Sequence, residues 1–225
     1  MKTRFGLYLI PSEGSFYQQG SAIVGYDIRN QQPVTPPEGI DPSWIASNAQ
    51  FGFHVSITDA ITTDEQKLPE IMSRTEELLR ALKPDNHYVL TKQRVGFWRD
   101  SSNMAVLLTQ SNRNVDILHD VLVTALHPMG SGTEYTEKGI DFGADAANQK
   151  TKLFYSPYIF EDFVPHFTCI ASYSGPAEGR GAVEANLERL FADVKEVEFD
   201  TIAFVVQREG EPFFHIEKEF SLHGA

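Results

Sequence analysis

The chain has 225 residues, of which 41% are hydrophobic and 22% charged, a composition typical of a globular protein with its own core. Its net charge of −12 argues against a surface built to hold long nucleic acid, because phosphate contacts require clustered Lys and Arg. A small phosphorylated ligand in a locally basic cleft is compatible with that charge.

The cysteine content indicates the compartment. Cys169 is the only cysteine and can form no intrachain disulfide, so we expect a reducing, cytoplasmic environment. Its strand position points it away from His166, which favours core packing over a thiol nucleophile. The N-terminal apolar run is broken by Pro11 and is too short for a signal peptide or a membrane span, so no membrane partner is expected. The oligomeric state is left open.

The first half of the chain alternates between strand patterns and one helical pattern. Pro11 ends the first strand, and a break at Gly20 precedes the next apolar run. The last two strands are joined by a polar turn and are predicted to form an antiparallel hairpin. In order, the predicted elements are a strand over 5–10, an apolar run over 21–27, a strand over 51–58, a helix over 63–83 and strands over 87–98 and 103–110.

The second half repeats this succession of patterns. Residues 129–152 show no sustained period and are predicted to be an excursion loop, and loops of that length are often functional or mobile. An aromatic stretch over 153–163 then leads into the next strand. The remaining predicted elements are a helix over 114–126, a strand over 164–171, a helix over 178–191 and strands over 197–206 and 213–216.

This layout predicts an α+β fold. Each half reads as strand, helix and hairpin, with a histidine-bearing strand over 51–58 or 164–171. Two antiparallel sheets, with helices on their outer sides, would then face one another across a central cleft. Because no linker separates the halves, residues 1–225 are predicted to form one bilobal, pseudo-symmetric domain.

The two histidine strands carry the same short motif. His54 and Ser56 are separated by one residue, as are His166 and Thr168, and alternate residues of a strand point to the same face. With 7 histidines in the chain, about one such match is expected by chance. The shared context of apolar, β-rich runs favours a paired site, and ordinary partly buried strand histidines are the alternative.

Longer segments resemble a known family. The chain is similar to the two-histidine (2H) phosphoesterase superfamily, in which paired His-x-Ser/Thr motifs stand on strands of a bilobal chain, and in particular to its phosphonate-metabolism branch. Two departures concern the arginine-rich run of that branch, absent from 129–152, and an aromatic pair, replaced by Phe154 and Ser156. The similar segments are GSAIVGYD (20–27), FGFH (51–54), FYSPYIFEDFVPHFT (154–168) and VVQREGEPF (205–213).

The resemblance implies roles for four residues. His54 and His166 would be catalytic, while Ser56 and Thr168 would bind the phosphate. Hydrolysis of a phosphodiester needs a base for water, an acid for the leaving alkoxide and donors for the phosphoryl oxygens. Two imidazoles titrating near neutrality can supply the first two, so neither a metal nor a cofactor is expected. The predicted activity is hydrolysis of a cyclic phosphodiester on a small nucleotide or sugar.

Four further residues are candidates for substrate binding. Tyr155 and Tyr158 lie just upstream of His166 and could line the cleft, although aromatic residues at a strand entrance also serve the core. Arg94 could hold a phosphate or could be a surface arginine. Gln207 could reach the pocket or stand at a solvated strand end.

Three alternatives stay open. An enzyme that processes 2′,3′-cyclic RNA ends would need a basic cleft, which the acidic charge disfavours. A module that binds a phosphorylated metabolite without turnover would also use these motifs. A divalent metal site is disfavoured, since neither histidine has a carboxylate at ligand spacing.

Overall fold

The computed structural model describes residues 2–82, 87–98 and 102–223. Most of the predicted turn at 99–103 and the predicted end of the helix at Lys83 fall outside these ranges. The strands are β1 (Lys2–Leu9), β2 (Tyr26–Asp27), β3 (Gln32–Pro33), β4 (Val55–Ser56), β5 (Ile61–Asp64), β6 (Tyr88–Phe97), β7 (Ala105–Ser111), β8 (His166–Ile170), β9 (Glu196–Phe199), β10 (Thr201–Arg208) and β11 (His215–Ser221).

Seven α-helices connect these strands within the described ranges. None of them is long and apolar enough to cross a bilayer. They are α1 (Ser15–Val24), α2 (Pro42–Ile45), α3 (Leu68–Ala81), α4 (Arg113–Leu126), α5 (Glu134–Glu137), α6 (Asp145–Phe154) and α7 (Arg180–Leu190).

The first large sheet is built around β1. Its strand order is β11-β10-β1-β4, and β5 pairs with the N-terminal part of β1. All of these pairings are antiparallel, with Arg4 opposite Gln207 and Tyr8 opposite Ser56. Residues directly opposite one another share a sheet face. Arg4, Gln207, Tyr8 and Ser56 therefore lie on one face of this sheet.

The second large sheet has the order β8-β7-β6-β9, again antiparallel. The predicted hairpin of β6 and β7 and the α+β class with two antiparallel sheets are confirmed. Each half of the chain does not form its own sheet, because β10 and β11 join β1. Sequence patterning shows where strands lie but carries little information on which strands pair.

The extent of one predicted strand is also wrong. The strand predicted over 197–206 is two strands, β9 and β10, which belong to different sheets and are separated by Asp200. Phe199 and Ile202 on either side of Asp200 are both buried, so the apolar character of the segment gives no sign of the crossover.

Helix α1 runs through Gly20, where the sequence indicated a break. A β-carbon at Gly20 would lie 2.0 Å from the ring of Phe53. Glycine costs helix propensity of roughly 1 kcal/mol, and here it allows the aromatic ring to pack against the helix backbone. The glycine thus marks a close packing contact rather than the end of an element.

The segment 129–152 is more regular than predicted. It contains α5 and most of α6, and Thr151 is the one buried residue of α6. A helix that buries so little apolar surface shows no hydrophobic period, which explains why the sequence indicated a loop.

The core continues between the two sheets through aromatic side chains. Phe53 stacks on Phe167 with 4.5 Å between ring centroids, and Phe16 of α1 meets both rings edge-on at 5.3 and 5.4 Å. Phe53 precedes His54 and Phe167 follows His166. Packing of these two neighbours brings the two histidine segments together.

Candidate active site

His54 lies immediately before the short strand β4, not within a strand over 51–58 as the sequence predicted. A 3₁₀ turn over Ala49–Phe51 and Gly52, with φ of 69°, lead into it. The predicted alternation nevertheless holds. Phe53 and Val55 are buried, whereas His54 is half-buried and Ser56 is exposed.

His166 is the first residue of β8, which lies within the strand predicted over 164–171, and shows the same alternation. His166 and Thr168 are half-buried, whereas Phe167 and Cys169 are fully buried. Burial raises the pKa of the Cys169 thiol to about 12, so the thiolate needed for nucleophilic chemistry is disfavoured. Cys169 therefore packs in the core, as predicted.

Both imidazoles are anchored in the same way. The Nδ1 atom of His54 lies 3.0 Å from the carbonyl oxygen of Gly52, and that of His166 lies 2.7 Å from the carbonyl oxygen of Val164. A carbonyl oxygen can only accept, so Nδ1 of each ring carries the proton. Each neutral ring consequently has its unprotonated nitrogen at Nε2. In both segments the anchor is the residue two positions before the histidine.

An aromatic side chain covers each imidazole. The ring of Tyr8 stacks on His54 at 3.7 Å between centroids, and Trp98 packs on His166 at 4.6 Å. Sequence reasoning missed both. Tyr8 could have been found only by knowing that β1 pairs with β4, which no local pattern reports. These contacts fix the ring planes and exclude water from one side of each imidazole.

Burial lowers the pKa of both imidazoles. The pKa of His54 falls to about 4 through desolvation, although its hydrogen bond to Gly52 opposes the shift. The charge of His166 lowers it further, which places the two rings within electrostatic reach of one another. The pKa of His166 is lowered by desolvation as well. Both rings are therefore neutral at pH 7 in the ligand-free protein.

Ser56 contacts the ring of His54, and Thr168 follows His166 by two residues on β8. Ser56 Oγ is 3.0 Å from His54 Nε2. In this tautomer Nε2 holds a lone pair and accepts a hydrogen bond from the hydroxyl group. The carbonyl of Thr168 accepts from Asn48 Nδ2 at 3.3 Å, a contact that ties the two histidine segments together. Both hydroxyls are on the same side of their segments as the histidines.

Tyr155 lies at the end of α6, and Tyr158 packs against Tyr135 of α5. Tyr155 ends α6 with φ of 63°, and its carbonyl accepts from the hydroxyl of Thr133. Tyr158 is 53% exposed and packs edge-on against Tyr135 and Phe142 at 5.8 and 5.9 Å. Among the residues described, no ring contact joins either tyrosine to His54 or His166. Their role in binding substrate stays a prediction.

Arg94 shares a sheet face with His166. It pairs with Leu108 of β7, which in turn pairs with His166 of β8. Its guanidinium donates to the carbonyls of Phe97 and Trp98 at 3.1 and 3.3 Å. In this arrangement Arg94 supports the backbone at Trp98, the residue that packs on His166.

Gln207 lies next to a residue that sequence reasoning missed. Arg4 Nε donates to Gln207 Oε1 at 2.9 Å, and Gln207 is 8% exposed. Both stand on the face of the first sheet that carries Tyr8. Gln207 is thus buried on the sheet face that carries Tyr8 and Ser56 rather than at a solvated strand end, and its contact with substrate stays a prediction.

The part of the chain that the structure describes contains no cluster of three or more His, Cys, Asp or Glu side chains that could hold a metal ion.

No protein-family model matches the chain. No curated protein matches it either.

Solved structures align with it over nearly their full lengths. TT0787 of Thermus thermophilus is 15% identical, with a TM-score of 0.49 and 98% of both chains covered. A structure described as a phosphoesterase is 11% identical, with a TM-score of 0.46, 97% of this chain and 98% of that chain covered. E. coli LigT complexed with 3′-AMP is 11% identical, with a TM-score of 0.45 and 98% of both chains covered. Because these identities and TM-scores are low, the function of the site is inferred from its own geometry.

Proposed function

We propose that the protein is a phosphodiesterase that uses His54 and His166 to hydrolyse a cyclic phosphodiester of a small nucleotide or sugar phosphate. The observation that carries this proposal is the matched anchoring of the two imidazoles. Each has Nδ1 fixed on a backbone carbonyl, an unprotonated Nε2 and a hydroxyl two residues later, and the Ser56 hydroxyl would turn from His54 Nε2 to the phosphoryl oxygen when substrate binds. The sequence resemblance to the 2H phosphoesterase superfamily supports the same activity.

The reaction requires one of the two rings to be protonated at Nε2 and the other to be unprotonated there. One neutral Nε2 removes a proton from water as the water oxygen attacks phosphorus. The bond from phosphorus to the leaving alkoxide breaks, and the other ring, protonated at Nε2, donates its proton to that oxygen. Ser56 and Thr168 would donate to the non-bridging phosphoryl oxygens, where charge is concentrated in the transition state. Base and acid are thus both side chains of this chain.

The negative charge of the substrate affects the pKa of both imidazoles. Both pKa values are lowered in the ligand-free site, mainly by desolvation. A bound phosphodiester is an anion, and an opposite charge nearby favours the protonated imidazole. Substrate binding therefore promotes uptake of the proton that the mechanism requires.

The lowered pKa values of the ligand-free site predict an acidic pH optimum for kcat/KM. That parameter reports the free enzyme, and the singly protonated pair is most populated between two pKa values that both lie below the usual 6.5. We expect kcat/KM to peak below pH 6.5 and to fall as the pH rises to about 8. The decline of kcat should occur at higher pH, because bound substrate raises both values. A kcat/KM maximum at or above about pH 7.5 would contradict the mechanism.

The choice of substrate class rests on charge and on resemblance. A net charge of −12 favours a small ligand over a long RNA chain. The similarity of four segments to the phosphonate-metabolism branch favours a cyclic phosphate of a sugar. Processing of 2′,3′-cyclic RNA ends is the second enzymatic candidate, and a nucleotide panel separates the two.

The test is turnover of a panel of cyclic phosphodiesters in the presence of a chelator. The panel contains 2′,3′- and 3′,5′-cyclic nucleotides, cyclic phosphates of ribose and an RNA oligomer with a 2′,3′-cyclic end. We expect chelator-insensitive hydrolysis of at least one small member, with the oligomer a poorer substrate. Preference for the oligomer would favour the RNA-end activity instead.

A module that only binds phosphorylated metabolites gives a different result. It predicts no turnover by the native protein, together with ligand binding that survives replacement of both His54 and His166 while Ser56 and Thr168 remain. Calorimetric titration of the double variant with the panel therefore distinguishes binding alone from catalysis.

A further inference from the structure

Arg4 projects from β1 on the face that carries Tyr8. Its guanidinium is half-buried and is held by two neutral side chains. Nε and Nη2 both donate to Gln207 Oε1, and Nη2 also donates to Gln50 Oε1 at 3.1 Å. Gln207 in turn donates to the carbonyl of Glu211 at 3.0 Å. The amide groups therefore fix the position of the guanidinium without neutralising its charge.

No carboxylate forms an ion pair with Arg4 among the residues that the structure describes. Glu137 is within electrostatic reach, since the charge of Arg4 helps to lower the pKa of its carboxyl. That carboxylate is already bound by Lys2 at 2.7 Å and by the hydroxyl of Thr62 at 3.0 Å. In a chain of net charge −12, a half-buried guanidinium without an ion-pair partner is an unusual arrangement.

Aromatic rings connect Arg4 to the candidate active site. Its Cζ atom lies 5.9 Å from the Phe51 ring and 5.1 Å from the Phe214 ring. The Phe51 ring is 6.4 Å from the ring of His54. Phe214 lies 6.2 Å from Tyr8, the residue stacked on His54. A single aromatic ring thus separates the guanidinium from the imidazole.

We propose that Arg4, positioned by Gln50 and Gln207, binds a second anionic group of the substrate, a terminal phosphate, while the scissile phosphodiester lies at His54 and His166. This inference rests on the proposed phosphodiesterase function and adds a requirement on the substrate. Among the described residues, the hydrogen bonds of Arg4 use Nε and Nη2, which leaves the two N–H donors of Nη1 for phosphate oxygens. The aromatic surface between the two anionic groups suits the sugar or base that joins them.

The test compares two substrates that differ only in the second anion. One is a nucleoside 2′,3′-cyclic phosphate and the other is the same compound with an added 5′-phosphate. We expect the native protein to prefer the 5′-phosphorylated compound by about 10- to 100-fold in kcat/KM, the range for a hydrogen bond to a charged group. In Arg4→Gln this preference should fall to within about threefold, whereas Arg4→Lys should keep part of it.

Arg208→Gln is the matched control. Arg208 follows Gln207 on β10, points to the opposite face of the sheet and pairs with Glu65 and Glu217 at 2.9 and 3.1 Å. The substitution removes the same charge from the neighbouring position. It should leave the preference for the 5′-phosphate intact, and a loss equal to that of Arg4→Gln would indicate an effect of net charge and overturn the assignment.

A binding measurement separates failure of this inference from failure of the proposed function. In a variant lacking both His54 and His166, affinities for the two compounds are measured by calorimetry with Arg4 present or replaced by Gln. An affinity gain from the 5′-phosphate that requires Arg4 supports the anion site even without turnover by the native protein. Equal affinity for the two compounds with Arg4 present refutes the site while leaving the hydrolytic mechanism standing.

Discussion

Replacing either His54 or His166 with alanine is expected to lower kcat/KM for the preferred cyclic phosphodiester by about 10²- to 10⁴-fold, the usual contribution of general acid–base catalysis. In the proposed mechanism each ring carries out the proton transfer on its side of the scissile phosphorus. Loss of one ring removes base or acid, so both variants should be impaired. The measurement is initial rates of hydrolysis with a chelator present.

His119→Gln provides a matched control. The Nδ1 atom of His119 also lies against a carbonyl, that of Ile57 at 2.7 Å, but its Nε2 accepts from the backbone N–H of Phe160 at 3.1 Å. Both of its nitrogens are thus hydrogen-bonded to backbone groups. The substitution should lower stability and keep kcat/KM, per folded molecule, within about threefold of native. Native-like activity in either His54→Ala or His166→Ala would remove that ring from the mechanism.

Phe53→Ala is expected to lower the free energy of unfolding by about 3–5 kcal/mol, the range for removing a buried aromatic ring. Phe53 is fully buried and packs on Phe167, Phe16 and Phe191 at 4.5, 5.3 and 6.0 Å. The backbone of Gly20 packs against the ring, and this residue has no side chain that could move into the space left by the ring. The cavity would therefore persist between the two sheets.

Urea denaturation followed by circular dichroism measures this loss. Leu153→Ala serves as the control, because Leu153 is 61% exposed and its removal should change stability by less than about 0.5 kcal/mol. A change below about 1 kcal/mol for Phe53→Ala would show that the aromatic contacts between the sheets contribute little to stability.

The sequence was most informative where structure depends on neighbouring residues. The alternation around His54 and His166 follows from strand geometry, so the buried and the more exposed sides of both segments were predicted correctly even though the first strand is only Val55–Ser56. Helix α6 was missed because Thr151 is its only buried residue. Helix α1 was obscured by Gly20, whose role depends on the ring of Phe53, a residue distant in the sequence.

Contacts between distant segments could not be predicted. Tyr8 covers His54 because β1 pairs with β4, and Arg4 meets Gln207 because β1 pairs with β10. Gln207 was selected on resemblance, and nothing in the surrounding residues pointed to its partner near the N-terminus. The alternation of the two histidine segments could therefore be predicted from local pattern, while the groups that surround the imidazoles required the tertiary pairing.

The pairing of β1 with β10 has a consequence for how the chain folds during synthesis. One edge of β1 can pair early with β4 and β5, but the other waits for a strand that the ribosome makes near the end of the described chain. The sheet of β6 to β9 is complete before β10 emerges. Since long-range pairing is slow and unpaired edges promote aggregation, the nascent chain carries β1 with one unpaired edge until β10 has been made. A chaperone that shields this edge would act on β1.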